Sequence, residues 1–237
     1  TRLNSLEIGN SVASIGNYAF RSCTSLTNAA MPDSVISIGT YAFYGCTSLT
    51  SVAVGNGVTN IGTYAFYQCS RLTSLVIGNS VAIIGNNAFQ ACTSLTNAAM
   101  PDSVTSIGTY GFYGCTGLTG VAIGNSLTNI GADAFSYCPN LIEISVSESN
   151  AVYSSIAGVL FNKNQSILLQ CPGGMAGNYT IPDSTAGIGT YAFYGCNRLT
   201  SVATGNGVTN IGTYAFYQCA RLTNVIIGNS VASVGNY

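Results

Sequence analysis

Apolar and polar positions follow one another in a fixed order that returns every 23 residues. In the stretch LTSVAVGNGVTNIGTYAFYQCS, from Leu49 to Ser70, the apolar Leu49, Val52 and Val54 fall at LxxLxL spacing with Ser51 and Ala53 between them. That alternation predicts a short strand with the first three side chains inward and Ser51 and Ala53 outward. The inward trio recurs as Leu26, Ala29, Met31; Leu72, Leu75, Ile77; Leu118, Val121, Ile123; and Leu222, Val225, Ile227. A turn at Gly55-Asn56-Gly57 follows, and Val58 and Ile61 make a second extended piece that Gly62 ends. The remainder, TYAFYQC, spaces Ala65, Phe66 and Cys69 as one helical turn would, with Phe66 and Cys69 on the inward side.

Cys23, Cys46, Cys69, Cys92, Cys115 and Cys138 mark the period, and Cys196 and Cys219 resume it after one interruption. A period of roughly 20 to 30 residues is the signature of a solenoid, whose coils bury their apolar sides only against one another. The strands are therefore expected to stack into a parallel sheet along one face. Phe20, Phe43, Phe66, Phe89, Phe112, Phe135, Phe193 and Phe216 are expected to stack into an aromatic spine. The cysteines, one equivalent position per coil, read as a ladder of free core thiols: parallel Cβ vectors on neighbouring rungs are awkward to bridge. Asn10, Asp33, Asn56, Asn79, Asp102 and Asn125 form a turn ladder in which each Asx side chain is expected to bond its own backbone.

The recurring SVTSIGxxAFxxCxxLTSVxIG pattern resembles the leucine-rich repeats of BspA-like surface proteins of bacteria and some protozoan parasites. The resemblance covers nearly the whole chain, with eight Ala/Gly-Phe-x-x-Cys units. It implies a right-handed leucine-rich repeat superhelix of the α/β horseshoe class, β-rich with short helical or 3-10 turns. It also implies exposure at the cell surface or secretion, and adhesion to host proteins or other cells. The family supplies no catalytic residues to carry over. Residues 1–237 then form a single leucine-rich repeat domain. The opening TRLNSLEIGN and closing SVASVGNY lie inside repeats, so the chain reads as a fragment of a longer array.

Residues 139–188 break the period. Cys138 and Cys196 are 58 positions apart, one repeat of 23 plus 35 inserted residues. Ser155 to Phe161 and Ser166 to Gln170 flank the polar Asn162-Lys163-Asn164-Gln165 and predict a β-hairpin. The segment resembles the hairpin-bearing long repeat of the same family, with Ala157 in place of a customary acid. As a projecting hairpin it offers Lys163 and Asn164 as an alternative ligand site; as a spacer it adjusts curvature. Asn164-Gln165-Ser166 and Asn178-Tyr179-Thr180 are glycosylation sequons. GNGVTNIGTYAFYQC at 55 to 69 recurs at 205 to 219, a block duplication offset by 150.

Composition narrows the function. Only 5% of residues are charged, against about 25% in ordinary proteins, and the net charge is -1. Without a basic field, nucleic acid and anionic membrane are not expected partners. The absence of histidine removes the usual general base and metal ligand, so no enzyme, metal or cofactor is expected. No apolar run reaches the ~18 residues that span a bilayer.

Twelve of the 15 tyrosines occupy two equivalent positions three residues apart. One column is Tyr18, Tyr41, Tyr64, Tyr110, Tyr191, Tyr214 and Tyr237; the other is Tyr44, Tyr67, Tyr113, Tyr194 and Tyr217. With Phe and Cys inward, the second column at least faces outward. The columns read either as a ribbon of rings and hydroxyls that takes a sugar or protein ligand, or as a shield over the core's edge. Asn87/Gln90 and Asp133/Ser136 interrupt both columns. The outward strand residues, such as Asn28 and Ala30 or Gly120 and Ala122, are too small to anchor a tight protein interface. Protein or carbohydrate is the expected partner, in weak multivalent contacts, and the apolar end coils predict end-to-end self-association. A stalk presenting another domain is the competing role.

Overall fold

A computed structural model describes residues 2–236. The chain winds into a β-solenoid of about 10 turns. Among the described residues there is no helix, and so none long and apolar enough to cross a membrane. The expected α/β horseshoe with helical turns is therefore wrong, and the backbone of the TYAFYQC segment shows why. Tyr64 and Gln68 sit in left-handed conformations, at φ 56° and φ 57°, and break the segment twice. The amides between them alternate in direction. Ala65 and Tyr67 donate within the turn, to the carbonyls of Gly62 at 3.1 Å and Tyr64 at 3.3 Å. Tyr64, Phe66 and Gln68 donate to the next coil, to Asn86 at 2.9 Å, Ala88 at 2.8 Å and Gln90 at 2.9 Å. A helix would consume all these donors internally; this turn gives every second one to its neighbour and becomes a rung of a ladder.

The other two sides of each coil are strands. Ser51–Ala53 pairs parallel with Asn28–Ala30 and Ser74–Val76, each residue meeting its equivalent 23 positions away. This sheet is not continuous but runs in three-stranded segments. One break lies between Ser74–Val76 and Asn97–Ala99, where the half-buried Leu75 is followed one coil on by the smaller Ala98. The second side is a six-stranded ladder of two-residue strands from Ser14–Ile15 to Asn129–Ile130, with Asn60–Ile61 in its middle. Leu26, Phe43, Ile61 and Cys69 are fully buried, as the period predicts, whereas Tyr44 and Ser51 are half-exposed. The phenylalanines stack with centroids 5.1 Å apart from Phe20 to Phe43 and from Phe43 to Phe66.

Polar columns tie the coils together from outside. Thr50 Oγ1 donates to Thr27 O at 2.9 Å and Thr119 Oγ1 to Thr96 O at 2.9 Å. The Asx ladder bonds between coils rather than within its own turn: Asp33 Oδ1 accepts from Asn56 N at 2.6 Å and Asn56 Oδ1 from Asn79 N at 3.0 Å. Asn and Asp are thus interchangeable there, because only the carbonyl-type oxygen is used.

The insert holds the predicted hairpin but does not project. Val159–Asn162 and Ile167–Gln170 pair antiparallel across the Lys163 turn. A second turn at Ala157 and Gly158, both at positive φ, pairs Tyr153–Ile156 with Val159–Asn162, so the insert is a three-stranded meander. Ile167–Gln170 then pairs parallel with Gly187–Ile188 and restarts the short-strand ladder. Leu160 packs into one apolar core, built by the coils before it, while Val159 and Phe161 pack into a second built by the coils after it. The meander is a seam between two stacks.

Gly62 marks a close approach of the coils: a Cβ there would lie 2.6 Å from the Gly39 carbonyl carbon. Gly120 would meet nothing within 4 Å. Gly62→Ala is expected to cost about 1–3 kcal/mol by overpacking, and Gly120→Ala to be neutral or slightly stabilising. Phe112→Ala is expected to cost about 3–5 kcal/mol. Urea denaturation checks all three; equal effects of the two glycine substitutions would contradict the close stacking.

Candidate functional site

The turn geometry places the two tyrosine columns. Left-handed backbone at Tyr18, Tyr41, Tyr64, Tyr110, Tyr191 and Tyr214 turns the first column out of the coil, with φ between 56° and 59°. Such a φ costs a non-glycine residue about 1–2 kcal/mol and suits Asn or Asp far better than Tyr. Asn87 and Asp133, which interrupt the column, hold the same backbone at φ 57° and φ 55°. Tyrosine is therefore not what the backbone asks for at this position, and its rings have to be accounted for by their contacts.

Those contacts are with one another. Tyr41 stacks on Tyr18 at 5.1 Å and on Tyr64 at 4.8 Å, with planes within 7° of parallel. Tyr44 stacks on Tyr67 at 4.9 Å and Tyr191 on Tyr214 at 5.0 Å. The columns also touch edge to face, as Tyr64 does Tyr67 at 5.4 Å and Tyr110 does Tyr113 at 5.3 Å. Tyr41, Tyr44, Tyr64, Tyr67, Tyr113, Tyr191, Tyr194 and Tyr214 are half-buried, and Tyr110 and Tyr217 are exposed. Tyr237 lies outside the described residues. Within an unbroken stack the ring faces cover each other, so the edge offers hydroxyls and ring rims.

The two interruptions differ. At Asp133/Ser136 the gap in the second column is closed by Tyr137, which stacks on Tyr113 at 5.7 Å and leans on Tyr194 at 6.2 Å. Tyr113 and Tyr194 hydroxyls approach to 3.5 Å across the seam, 81 residues apart in sequence. Burial raises the Tyr113 hydroxyl above its ordinary pKa, and the Tyr194 contact adds to it. Sequence spacing missed Tyr137 because it stands one residue beyond the column, at a second left-handed position with φ 60°. At the Asp133 interruption a cavity of about 280 Å³ is lined by Asp133, Phe135, Tyr153, Leu160, Gln170 and Tyr191. Burial raises the Asp133 pKa, partly offset by the Ser136 hydroxyl donating to it at 2.9 Å. At Asn87/Gln90 no ring among the described residues takes the missing place, and a cleft of about 610 Å³ lined by Asn87 and Gln90 lies between Tyr64/Tyr67 and Tyr110/Tyr113.

The hairpin candidates are less open. Lys163 and Asn164 are exposed, but Lys163 Nζ donates to Glu148 O at 2.9 Å and Asn164 Oδ1 accepts from Ser166 Oγ at 2.8 Å. No group of three or more His, Cys, Asp or Glu among the described residues could hold a metal ion.

The model of the BspA type leucine rich repeat region matches residues 1–97, 82–169 and 176–237, in six copies. The chain belongs to the BspA-type leucine-rich repeat family. A leucine rich cell surface protein from Faecalibacterium prausnitzii is 31% identical over 95% of this chain and 67% of its own, with a TM-score of 0.73. A leucine-rich repeat protein from Eubacterium ventriosum is 28% identical over 90% of this chain and 63% of its own, with a TM-score of 0.74. This BspA-type chain thus spans about two thirds of their length. The pneumococcal vaccine antigen PcpA shares the fold, with 20% identity over 93% of this chain and 57% of its own, at a TM-score of 0.66. No curated protein sequence matches the chain.

In this BspA-type stack the nine cysteines are free, all buried but the half-buried Cys219. From Cys46 to Cys138 each thiol caps the phenylalanine carbonyl of the preceding coil, as Cys92 Sγ donates to Phe66 O at 3.2 Å and Cys115 Sγ to Phe89 O at 3.2 Å, whereas at the seam Cys196 Sγ turns to the carbonyls of Cys171 and Pro172. Burial pushes Cys138 up to about 12 from the usual 9.0. A raised pKa makes the protonated thiol's contribution complete below pH 9, and it is lost as pH climbs from there through about 12. Each such thiol should remove about 1.4 kcal/mol per pH unit in that window. Urea titrations at pH 7 and pH 10 are expected to show the loss, with Cys46 to Cys138 unreactive to thiol reagents in the folded chain at pH 8. Rapid labelling of those five without unfolding would contradict the buried ladder.

Proposed function

We propose that this chain is a non-enzymatic recognition module, carried on a cell surface or secreted, that binds protein or glycan ligands through its tyrosine edge. The observation that carries this reading is a column of half-buried to exposed tyrosines held at a backbone conformation that disfavours them and stacked ring on ring. Spaced by one rung, the same group is offered many times, which suits weak contacts that add by avidity. The family and the surface-protein relative support this setting. Leucine-rich repeats are typically non-enzymatic, and no catalytic constellation is needed for the role. The tethered Lys163 and Asn164 make the hairpin turn the weaker candidate.

Screening the chain on arrays of glycans and matrix proteins tests the proposal. Binding is expected, reduced at least tenfold in a Tyr41→Ser/Tyr44→Ser/Tyr214→Ser/Tyr217→Ser variant. No binding to any arrayed ligand, or binding that the variant retains in full, would overturn it. The first outcome would leave the chain as a stalk that presents another domain.

A further inference from the structure

Removing one ring from a continuous stack leaves a slot with a ring face on either side. The coil of Asn87 and Gln90 does this in both columns at once. Tyr64 and Tyr67 bound the slot on one side and Tyr110 and Tyr113 on the other, with Asn86, Asn87, Gln90 and Thr109 lining the rest. Among the described residues no ring contact closes it by joining Tyr64 or Tyr67 to Tyr110 or Tyr113. Asn87 alone has a conformational explanation, because it occupies the left-handed position. Gln90 has none: its φ is not positive, and Tyr44, Tyr67, Tyr113, Tyr194 and Tyr217 fill the equivalent place. Joint loss of both rings in one coil is thus not a demand of the backbone.

The floor of the slot is polar and half-satisfied. Asn87 Nδ2 donates to Gln90 Oε1, which leaves Asn87 Oδ1 as an acceptor and Gln90 Nε2 as a donor with no side-chain partner among the described residues. Either amide orientation leaves such a pair. Asn87 is 8% exposed, so what desolvates the slot must bond these groups or leave them buried and unpaired. No charged side chain lines the slot.

We infer that the missing rung at Asn87 and Gln90 is a subsite for one neutral sugar ring. This deepens the recognition role proposed above and rests on it. A pyranose has apolar C–H faces to lie against the rings of Tyr64/Tyr67 and Tyr110/Tyr113. Its rim of hydroxyls, each both donor and acceptor, matches the Asn87 and Gln90 amides and the surrounding tyrosine hydroxyls. An aromatic side chain from a protein would fill the same width but bring an apolar rim onto the amides and strand them. An acidic sugar would find no cation.

The test is to refill the column. Asn87→Tyr/Gln90→Tyr restores the residues of the neighbouring coils and is expected to fold, the regained ring stacking offsetting part of the cost of tyrosine at the left-handed position. Both chains are titrated with millimolar maltotriose, cellotriose, N-acetylchitotriose, sialyllactose and a tryptophan-containing peptide, and followed by side-chain amide and aromatic NMR shifts. At least one neutral trisaccharide is expected to shift the Asn87 and Gln90 amides and the Tyr64 and Tyr110 rings, and to lose affinity at least tenfold in the refilled variant. Unchanged binding in that variant, shifts with the peptide or sialyllactose alone, or no shift at the slot would each overturn the subsite. Retention of array binding by the refilled variant would leave the recognition role standing without the slot. Asn87→Ala/Gln90→Ala, which keeps the slot and removes its floor, should also weaken the sugar; a variant that binds as tightly would refute the role of the amides.

Discussion

The alternation of amide direction in the turn is the constraint on which the rest of the stack depends. Phe66 N donates to Ala88 O and Ala65 N to Gly62 O, and the same division recurs from coil to coil. Because alternate donors leave the coil, each turn is held at the height of its neighbour, and side chains of equal position must fall into columns. The phenylalanine spine, the thiol ladder and the tyrosine edge are three outcomes of that one register. The thiols cap carbonyls at 26-residue separation because the stacking has already brought Cys92 above Phe66.

The division of donors needs two left-handed residues per turn, and the chain meets the need in different ways. At the second site it uses Gly45, Gly114 and Gly195, or Ser22, Gln68, Ala91, Tyr137 and Gln218. At the first it uses Asn87 and Asp133, and otherwise tyrosine, the costlier choice. Stacking at 4.8 to 5.1 Å offsets part of that cost, since aromatic pairs contribute about 0.5–1.5 kcal/mol beyond burial. The strained backbone and the proposed recognition edge coincide in this column.

Much of this was legible in the residues. The 23-residue period located Leu26, Phe43, Ile61 and Cys69 in the core, because burial in a stack repeats with the stack. Helical turns were the misreading: Phe66 and Cys69 three apart fit a helix and a chain of tight turns equally, and a left-handed tyrosine carries no mark in composition. The same blindness hid the Asx bonds to the next coil, since a side chain that reaches its own backbone and one that reaches its neighbour's look alike in sequence. The hairpin was visible as two apolar stretches around Lys163. That it is a seam was not, because the alternation of Leu160 with Val159 and Phe161 does not say that each face meets a different core. The columns of the tyrosine edge could be counted, but the slot at Asn87 and the bridge by Tyr137 depend on ring distances.

Scalar couplings across hydrogen bonds read the central claim directly. In a uniformly labelled chain, the account predicts that Phe66 N couples to the carbonyl carbon of Ala88 and Tyr41 N to that of Thr63. Coupling of Phe66 N to the carbonyl of Gly62, four residues back as in a helix, would contradict it.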